Sequence, residues 1–193
     1  MRIILLVTSF LFVVQAGCKN NVDTAAKFYV NYHLAAQKVI DSLKLNKNKL
    51  YVEVDKSDYT LYIKIGDTIV KSYPVVLGFN PVDDKMKEGD GCTPEGTFKV
   101  RAKYPHASWS KFIWFDYPNT DSYKKFEQRK KDGVIPKTAK IGGEVGIHGV
   151  PGEADEIIDQ KQNWTLGCVS LKTADINEIY SLVKVGTKVV IRQ

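Results

Sequence analysis

One cysteine and one histidine, each beside a glycine, are the residues of this chain best suited to covalent chemistry. Cys168 lies in the stretch NWTLGCVSLK, residues 163–172, where Gly167 precedes it and an apolar alternation follows. An ordinary cysteine is mostly protonated at neutral pH, so a nucleophilic one needs a base or a positive charge nearby. His148 ends the strand-like run VGIHG, and two such ends can lie side by side in one sheet. We therefore expect His148 to be the base that activates Cys168.

Glycines next to both residues are predicted to leave room for a peptide substrate. Gly149 follows His148 and Gly167 precedes Cys168, so the backbone beside each reactive group carries no side chain. Amides near Gly167 and Cys168 can point at a developing oxyanion. With His148 as the base, we expect the resting pair to be largely thiolate and imidazolium.

A disulfide is the competing role for the cysteines. The chain contains Cys18, Cys92 and Cys168, and an oxidising compartment favours the pairing of cysteines that meet. A bridge from Cys92 to Cys168 would block the nucleophile. We predict that both of these thiols are mostly free in the active protein.

Hydrophobic periodicity predicts a β-rich α+β domain with helices at its periphery. A helical pattern runs from Asp23 to Leu45, and alternating runs at 50–54 and 61–65 predict antiparallel strands. Further strands are predicted at 97–102, in VGIHG, in CVSLK and at the C-terminus, and helices at 124–132 and after Thr173, which is predicted to cap the last helix. The 193 residues are enough for one well-cored domain and a short extension.

Residues 1–17 have the layout of a secretory signal peptide. Arg2 precedes an apolar run that ends in small residues and is too short for a stop-transfer helix. The following QAGC resembles a bacterial lipobox, in which the cysteine becomes the lipidated first residue of the mature chain. We expect Cys18 to be lipidated and to anchor the protein in the cell envelope, facing the periplasm. Cleavage after Ala16 without lipidation is the alternative.

The charge pattern and the histidines argue against two other classes of protein. The formal net charge of +6 is spread along the chain, without the basic runs that nucleic-acid-binding proteins use. Such a charge suits anionic surroundings such as a cell wall or lipid headgroups. His33 has no partner at metal-ligand spacing. We expect no metal, no cofactor and no nucleic-acid partner.

Four motifs together resemble a known family. The stretches GDGCTPEGTF, YPNTD, GGEVGIHG and NWTLGCVSL occur in the order and spacing of the YkuD-like L,D-transpeptidase catalytic domain, from Tyr51 to Ile191. The resemblance implies a β-sandwich with peripheral helices at residues 50–193, preceded by a helical spacer at residues 18–49. It also implies a monomer that acts on peptidoglycan stem peptides.

The resemblance assigns roles to individual residues. Cys168 resembles the acylated nucleophile, His148 the general base, and Gly149 and Gly167 the backbone of the site. Thr165 resembles a hydroxyl that orients the cleft. The implied reaction is attack of Cys168 on the third residue of a stem peptide, loss of the terminal D-Ala, and transfer of the thioester to an amine.

Two further residues, Trp164 and His106, are weaker candidates for substrate binding. Trp164 could cover the acyl-enzyme or lie in the core, and His106 could touch substrate or only pack within its loop.

The motif departs from the family's more familiar form at two positions. Leu166 stands where that form has a second His, and Ser170 where it often has Arg; the match is closer to a branch with Asp-Trp-Thr-x-Gly-Cys, in which Asn163 replaces the Asp. An Arg could hold a substrate carboxylate, so its absence leaves the acceptor and the stem-peptide preference open. The alternatives are a carboxypeptidase that uses water, a hydrolase of linked peptides, and an inactive wall-binding lipoprotein. A papain-like peptidase is disfavoured, because His148 precedes Cys168 in the chain.

Overall fold

The computed structural model describes residues 29–193 as a mixed eight-stranded sheet with helices packed around it. The signal segment, Cys18 and the first part of the predicted N-terminal helix lie outside the described residues. In order across the sheet, the strands are β3, β2, β1, β8, β4, β5, β6 and β7. Their bounds are β1 Leu50–Asp55, β2 Thr60–Ile65, β3 Thr68–Pro74, β4 Gly96–His106, β5 Ser110–Phe115, β6 Gly146–Gly149, β7 Val169–Leu171 and β8 Lys188–Arg192. The helices are α1 Ala36–Ser42, α2 Thr120–Lys131, α3 Glu156–Asp159 and α4 Thr173–Leu182.

The long strand β4 joins two halves of the sheet. Its first residues, from Gly96 to Lys99, pair with β8, and the rest of the strand pairs with β5. The register shifts between Val100 and Ala102, and such a bulge bends a strand and increases its twist. Side chains from both halves and from α4 form one buried core. The predicted β-rich fold with peripheral helices is confirmed.

Alternation in the sequence explains the first hairpin. Val52 and Val54 of β1 are fully buried, whereas Tyr51 and Glu53 between them are partly exposed. The strand pairs antiparallel with β2 and parallel with β8. The period of two in the sequence therefore reflects one buried and one wetter face.

The far edge of the sheet is built from two very short strands. β6 and β7 run parallel, with Ile147 paired to Val169 and His148 paired to Ser170. The outer edge of β7 is bonded to Val76, whose amide and carbonyl pair with those of Ser170 at 3.0 and 2.9 Å. Both sides of β7 are thus fixed by backbone hydrogen bonds.

The loop between β3 and β4, residues 75–95, is held by buried charged groups. The Lys56 ammonium, fully buried, donates to Glu95 at 2.7 Å and to the carbonyl of Asp83 at 2.8 Å. Arg129 of α2 donates to Asp84 and to the carbonyl of Lys85, both at 2.7 Å. These bonds tie the loop to the β1–β2 turn and to α2.

The predicted N-terminal helix is shorter than expected. Within the described residues it begins at Ala36, and residues 29–34 form turns instead. This segment forms hydrogen bonds to β3 instead. The Val30 amide donates to Ser72 Oγ at 2.7 Å, and the Asn31 side-chain Nδ2 donates to the carbonyl of Val70 at 2.9 Å. The described part of the predicted spacer therefore packs on the domain.

The cap predicted for α4 is also wrong. Lys172 occupies the N-cap position and its side chain makes no cap hydrogen bond, whereas Thr173 is the first residue inside the helix. Asp155, which is distant in sequence, supplies a cap instead, because its Oδ1 accepts the Thr173 amide at 2.8 Å. None of the helices in residues 29–193 is long and apolar enough to cross a bilayer.

Glu178 of α4 connects the N-terminal segment to the sheet. Its carboxylate accepts hydrogen bonds from Lys71 Nζ at 2.7 Å, from the Ala36 amide at 2.7 Å and from Tyr73 OH at 3.0 Å. The Lys71 side chain is almost completely buried. An ammonium in that position requires its anionic partner.

We predict that Glu178→Ala lowers the free energy of unfolding by about 3 kcal/mol, because it leaves a buried charge unpaired. Urea unfolding followed by circular dichroism measures this. The control is Glu127→Ala on the exposed face of α2, which should change the free energy by less than about 0.5 kcal/mol. Equal effects of the two substitutions would contradict the prediction.

Candidate active site

Cys168 immediately precedes β7, the strand that pairs with β6 and therefore lies beside His148. His148 of β6 is paired with Ser170 of β7, and Cys168 precedes Ser170 by two residues. Cys168 is thus a diagonal neighbour of His148 across the parallel pair. The Cys168 Sγ lies 3.5 Å from the carbonyl oxygen of Glu144, two residues before β6, so the thiol lies beside the start of that strand. The structure therefore brings the two residues together.

The turn before Cys168 depends on a glycine. Gly167 has φ +143°, which residues with a side chain rarely adopt, and a β-carbon there would lie 2.7 Å from the carbonyl oxygen of Cys92. Thr165 closes the turn: its hydroxyl donates to the Cys168 carbonyl at 2.7 Å and accepts the Gly167 amide at 3.2 Å. Thr165 thus holds the nucleophile in place and is itself buried.

The two glycine amides do not serve as free donors. The Gly167 amide is bonded to Thr165, and the Gly149 amide donates to the carbonyl of Trp109 at 3.1 Å. A β-carbon on Gly149 would lie 2.7 Å from that same carbonyl oxygen. The glycine therefore allows the residue before β5 to pack closely against β6. The Cys168 amide is the other donor that the sequence analysis names for an oxyanion. Gly167 and Gly149 thus shape the backbone of the site, while their amides are bonded to Thr165 and to the carbonyl of Trp109.

His148 is held by its own backbone and by aromatic rings. Its Nδ1 lies 2.8 Å from the carbonyl oxygen of Gly149. A carbonyl only accepts, so Nδ1 carries the proton and Nε2 is left as the basic nitrogen. The ring stacks on Trp109 at 4.3 Å and on Phe112 at 5.8 Å, and Trp164 meets it edge-on at 5.3 Å between centroids.

Burial keeps both reactive groups neutral. It lowers the pKa of His148 to about 4, and the nearby His106 acts in the same direction while the hydrogen bond to Gly149 opposes it. Burial also raises the pKa of the Cys168 thiol to about 11, against the effects of the Gly146 amide and Lys85. Both shifts favour a neutral thiol and a neutral imidazole over the expected thiolate and imidazolium pair in the resting site. Proton transfer must accompany attack on a substrate.

Cys92 is a buried free thiol in the motif loop. Neither Cys92 nor Cys168 forms a disulfide, as predicted. Burial and the neighbouring Asp90 carboxylate raise the pKa of Cys92 to about 11. Its carbonyl packs against Gly167, so its role here is structural.

The weaker candidates join the site indirectly. His106 stacks on Trp109 at 4.2 Å, and its Nδ1 accepts the amides of Ser108 and Trp109, so it supports the ring next to His148. Trp164 packs with Val76 and against His148, which combines the two roles that the sequence left open.

The sequence reasoning missed Trp109 and Phe112 as neighbours of His148. The aromatic run SWSKFIWF was the available signal, because Phe112 is paired with His148 across β5 and β6. No group of three or more His, Cys, Asp or Glu side chains within residues 29–193 is placed to hold a metal ion.

Comparison with known proteins identifies the family and the fold of this chain. A family model described as YkuD, the L,D-transpeptidase catalytic domain, matches residues 49–191. A search of curated proteins found no match.

Three solved structures are similar in fold. The helical cell shape determining protein Pgp2 from Campylobacter jejuni has a TM-score of 0.52 at 19% identity, covering 82% of this chain and 55% of its own. Bd1075 from Bdellovibrio bacteriovorus has a TM-score of 0.50 at 21% identity, and the match covers 75% of this chain and 48% of Bd1075. An L,D-transpeptidase from Mycobacterium smegmatis has a TM-score of 0.49 at 14% identity, and the match covers 75% of this chain and 59% of that protein. The chain thus spans less than two thirds of each of these structures.

We predict that Trp109→Ala raises the pKa of His148 from about 4 by one to two units, because the ring then contacts water. The wild-type fold should lose stability as the pH falls from about 6.5 towards 4, where the unfolded histidine binds a proton before the folded one does. An NMR titration of the His148 ring measures the shift. Tyr104→Ala is the control, because it removes an aromatic ring that stacks on Phe112, whereas Trp109 stacks on His148 itself. An equal pKa in both variants would argue against shielding by Trp109.

We predict that Thr165→Val slows alkylation of Cys168 by roughly tenfold, because the turn loses both bonds to the hydroxyl. Thr165→Ser keeps the hydroxyl and should stay within about twofold of wild type. Rates of iodoacetamide labelling, resolved by peptide mass spectrometry, test this. If valine and serine label alike, the hydroxyl does not hold the nucleophile.

Proposed function

This chain belongs to the YkuD family of L,D-transpeptidase catalytic domains, and we propose that it is a cysteine acyltransferase acting on peptidoglycan stem peptides. The observation that supports the proposal is the parallel pairing of β6 with β7, which sets His148 opposite Ser170, two residues after Cys168, with His148 Nε2 as the basic nitrogen. The buried aromatic wall around His148 provides the water-poor setting that favours acyl transfer over hydrolysis.

In the acylation step, Cys168 Sγ attacks the carbonyl carbon of the third stem residue while its proton passes to His148 Nε2. The oxygen gains negative charge and the Cys168 amide donates to it. Collapse of the tetrahedral intermediate breaks the bond to the terminal D-Ala, whose nitrogen takes the proton from His148. The product is a thioester, and Nδ1 keeps its bond to Gly149 throughout.

In the transfer step, an acceptor amine attacks the thioester and gives its proton to His148. The sulfur leaves and regains that proton. Leu166, 73% exposed beside the nucleophile, presents an apolar surface to the acceptor. Water in place of the amine would make the same site a carboxypeptidase, or a hydrolase of peptidoglycan-linked peptides.

We further propose an envelope location for the protein. The N-terminal signal pattern and QAGC support export and lipidation at Cys18. A monomer facing the periplasm would meet stem peptides there. Pgp2 is a helical cell shape determining protein, and a role in cell shape is proposed for this chain on that likeness and its family alone.

We predict that a carbapenem adds covalently to Cys168 in the purified protein, and that peptidoglycan incubated with it yields dimers joined between third residues. Intact-mass and muropeptide analysis measure the two results. Shortened stems without dimers would identify a carboxypeptidase, and released peptides or proteins would identify a hydrolase.

The matched controls are Cys168→Ala and Cys92→Ala. The first should abolish both adduct and products, because the nucleophile is gone, and the second should retain them, because Cys92 is a buried, protonated thiol. A folded wild-type protein that forms no adduct and changes no muropeptide would overturn the proposal in favour of a binding protein.

A further inference from the structure

A buried lysine lies behind the nucleophile turn. The Lys85 side chain is only 4% exposed, and it belongs to the loop between β3 and β4. A β-carbon built on Gly167 would lie 3.8 Å from Lys85 Nζ, and one on Gly142 would lie 3.6 Å from Lys85 Cε. The ammonium therefore sits between the loop and the residue that precedes Cys168.

Lys85 is fixed at both ends. Its carbonyl accepts a hydrogen bond from Arg129 Nη1 at 2.7 Å, and its Nζ donates to Asp90 Oδ1 at 2.8 Å. Asp90 also accepts the amides of Met86, Lys87 and Cys92, so its carboxylate is turned into its own loop. An ammonium has three donors, and Asp90 accounts for one of them among the contacts of the described residues.

The charge of Lys85 acts on Cys168. Burial raises the pKa of the Cys168 thiol, and the Lys85 ammonium lowers it while the Glu144 carboxylate raises it. His148 is neutral at physiological pH. Within residues 29–193, Lys85 is therefore the positive group that lowers the pKa of Cys168, and the carboxylate groups nearby are those of Glu144 and Asp90.

We propose that Lys85 is a positioning residue whose buried ammonium, held by Asp90 behind Gly167, favours the anionic form of the Cys168 sulfur. This inference rests on the proposed function of Cys168 as a nucleophile. When the thiol gives its proton to His148, negative charge forms on a partly buried sulfur, and a fixed cation nearby stabilises it without reorganisation. Lys85 contributes through this field, and no bond to the sulfur or substrate is required of it.

The test is the pH profile of iodoacetamide labelling at Cys168 in the full chain, with Cys18 and Cys92 resolved as separate peptides. Lys85→Met should move the profile upward by about one pH unit, and so slow labelling about tenfold at pH 7. Lys85→Arg keeps the charge and should restore labelling to within about threefold of wild type.

Substitution of Asp90 tests whether the direction of the shift in the labelling profile follows the sign of the charge removed. Asp90→Asn removes a negative charge and leaves the cation, so the profile should stay in place or move downward. The double variant Lys85→Met with Asp90→Asn leaves no unpaired carboxylate and should again move upward relative to Asp90→Asn. A merely structural role for the ion pair would instead slow labelling in both single variants and leave arginine unable to rescue it.

Thermal unfolding of each variant separates folding from charge. If Lys85→Met fails to fold, the comparison between Asp90→Asn and the double variant decides the question. An unchanged profile in a folded Lys85→Met, or shifts of the same sign for Lys85→Met and Asp90→Asn, would overturn the inference. Labelling needs no peptidoglycan, so a protein that shows the shifts but modifies no muropeptide would refute the proposed function and leave this inference standing.

Discussion

The parallel pairing of β6 with β7 is the interaction on which the site depends. These strands have four and three residues, yet their register sets His148 opposite Ser170, two residues after Cys168. Strands this short are marginal by themselves, so the pairing is stabilised from both sides. β5 bonds to β6, and Val76 bonds to Ser170 at the outer edge. The 75–95 loop and strand β5 thus hold the two short strands together.

Close backbone contact has a second consequence, which is the removal of water from the reactive groups. Gly78 approaches the carbonyl of Gly91 so closely that any side chain would clash, and Gly167 lies against the carbonyl of Cys92. The layers that meet there bury His148 and partly cover Cys168, and this desolvation favours the neutral form of each. A dry site suits acyl transfer but makes a thiolate costly. The surrounding polar groups, the Gly146 amide among them, offset part of that cost.

The first helix shows why periodicity alone misjudges a segment. The sequence from Asp23 to Leu45 has helical spacing, but the turn at 29–34 is stabilised by bonds to Ser72 and Val70, which are distant in sequence. Glu178 and Lys71 then hold the same segment on the domain. Local propensity was overridden by tertiary hydrogen bonds that no window of residues can reveal.

The sequence by itself determined the β-rich class, the strands of the first hairpin and the pair Cys168 and His148, because alternation and glycine punctuation are local signals. Tertiary structure alone decided which amides are free, which rings enclose His148 and that Lys85 lies behind Gly167. It also decided the protonation state of the pair. A pKa depends on burial and on charges brought together from separate loops, and these arise only when the β3–β4 loop packs against the nucleophile turn.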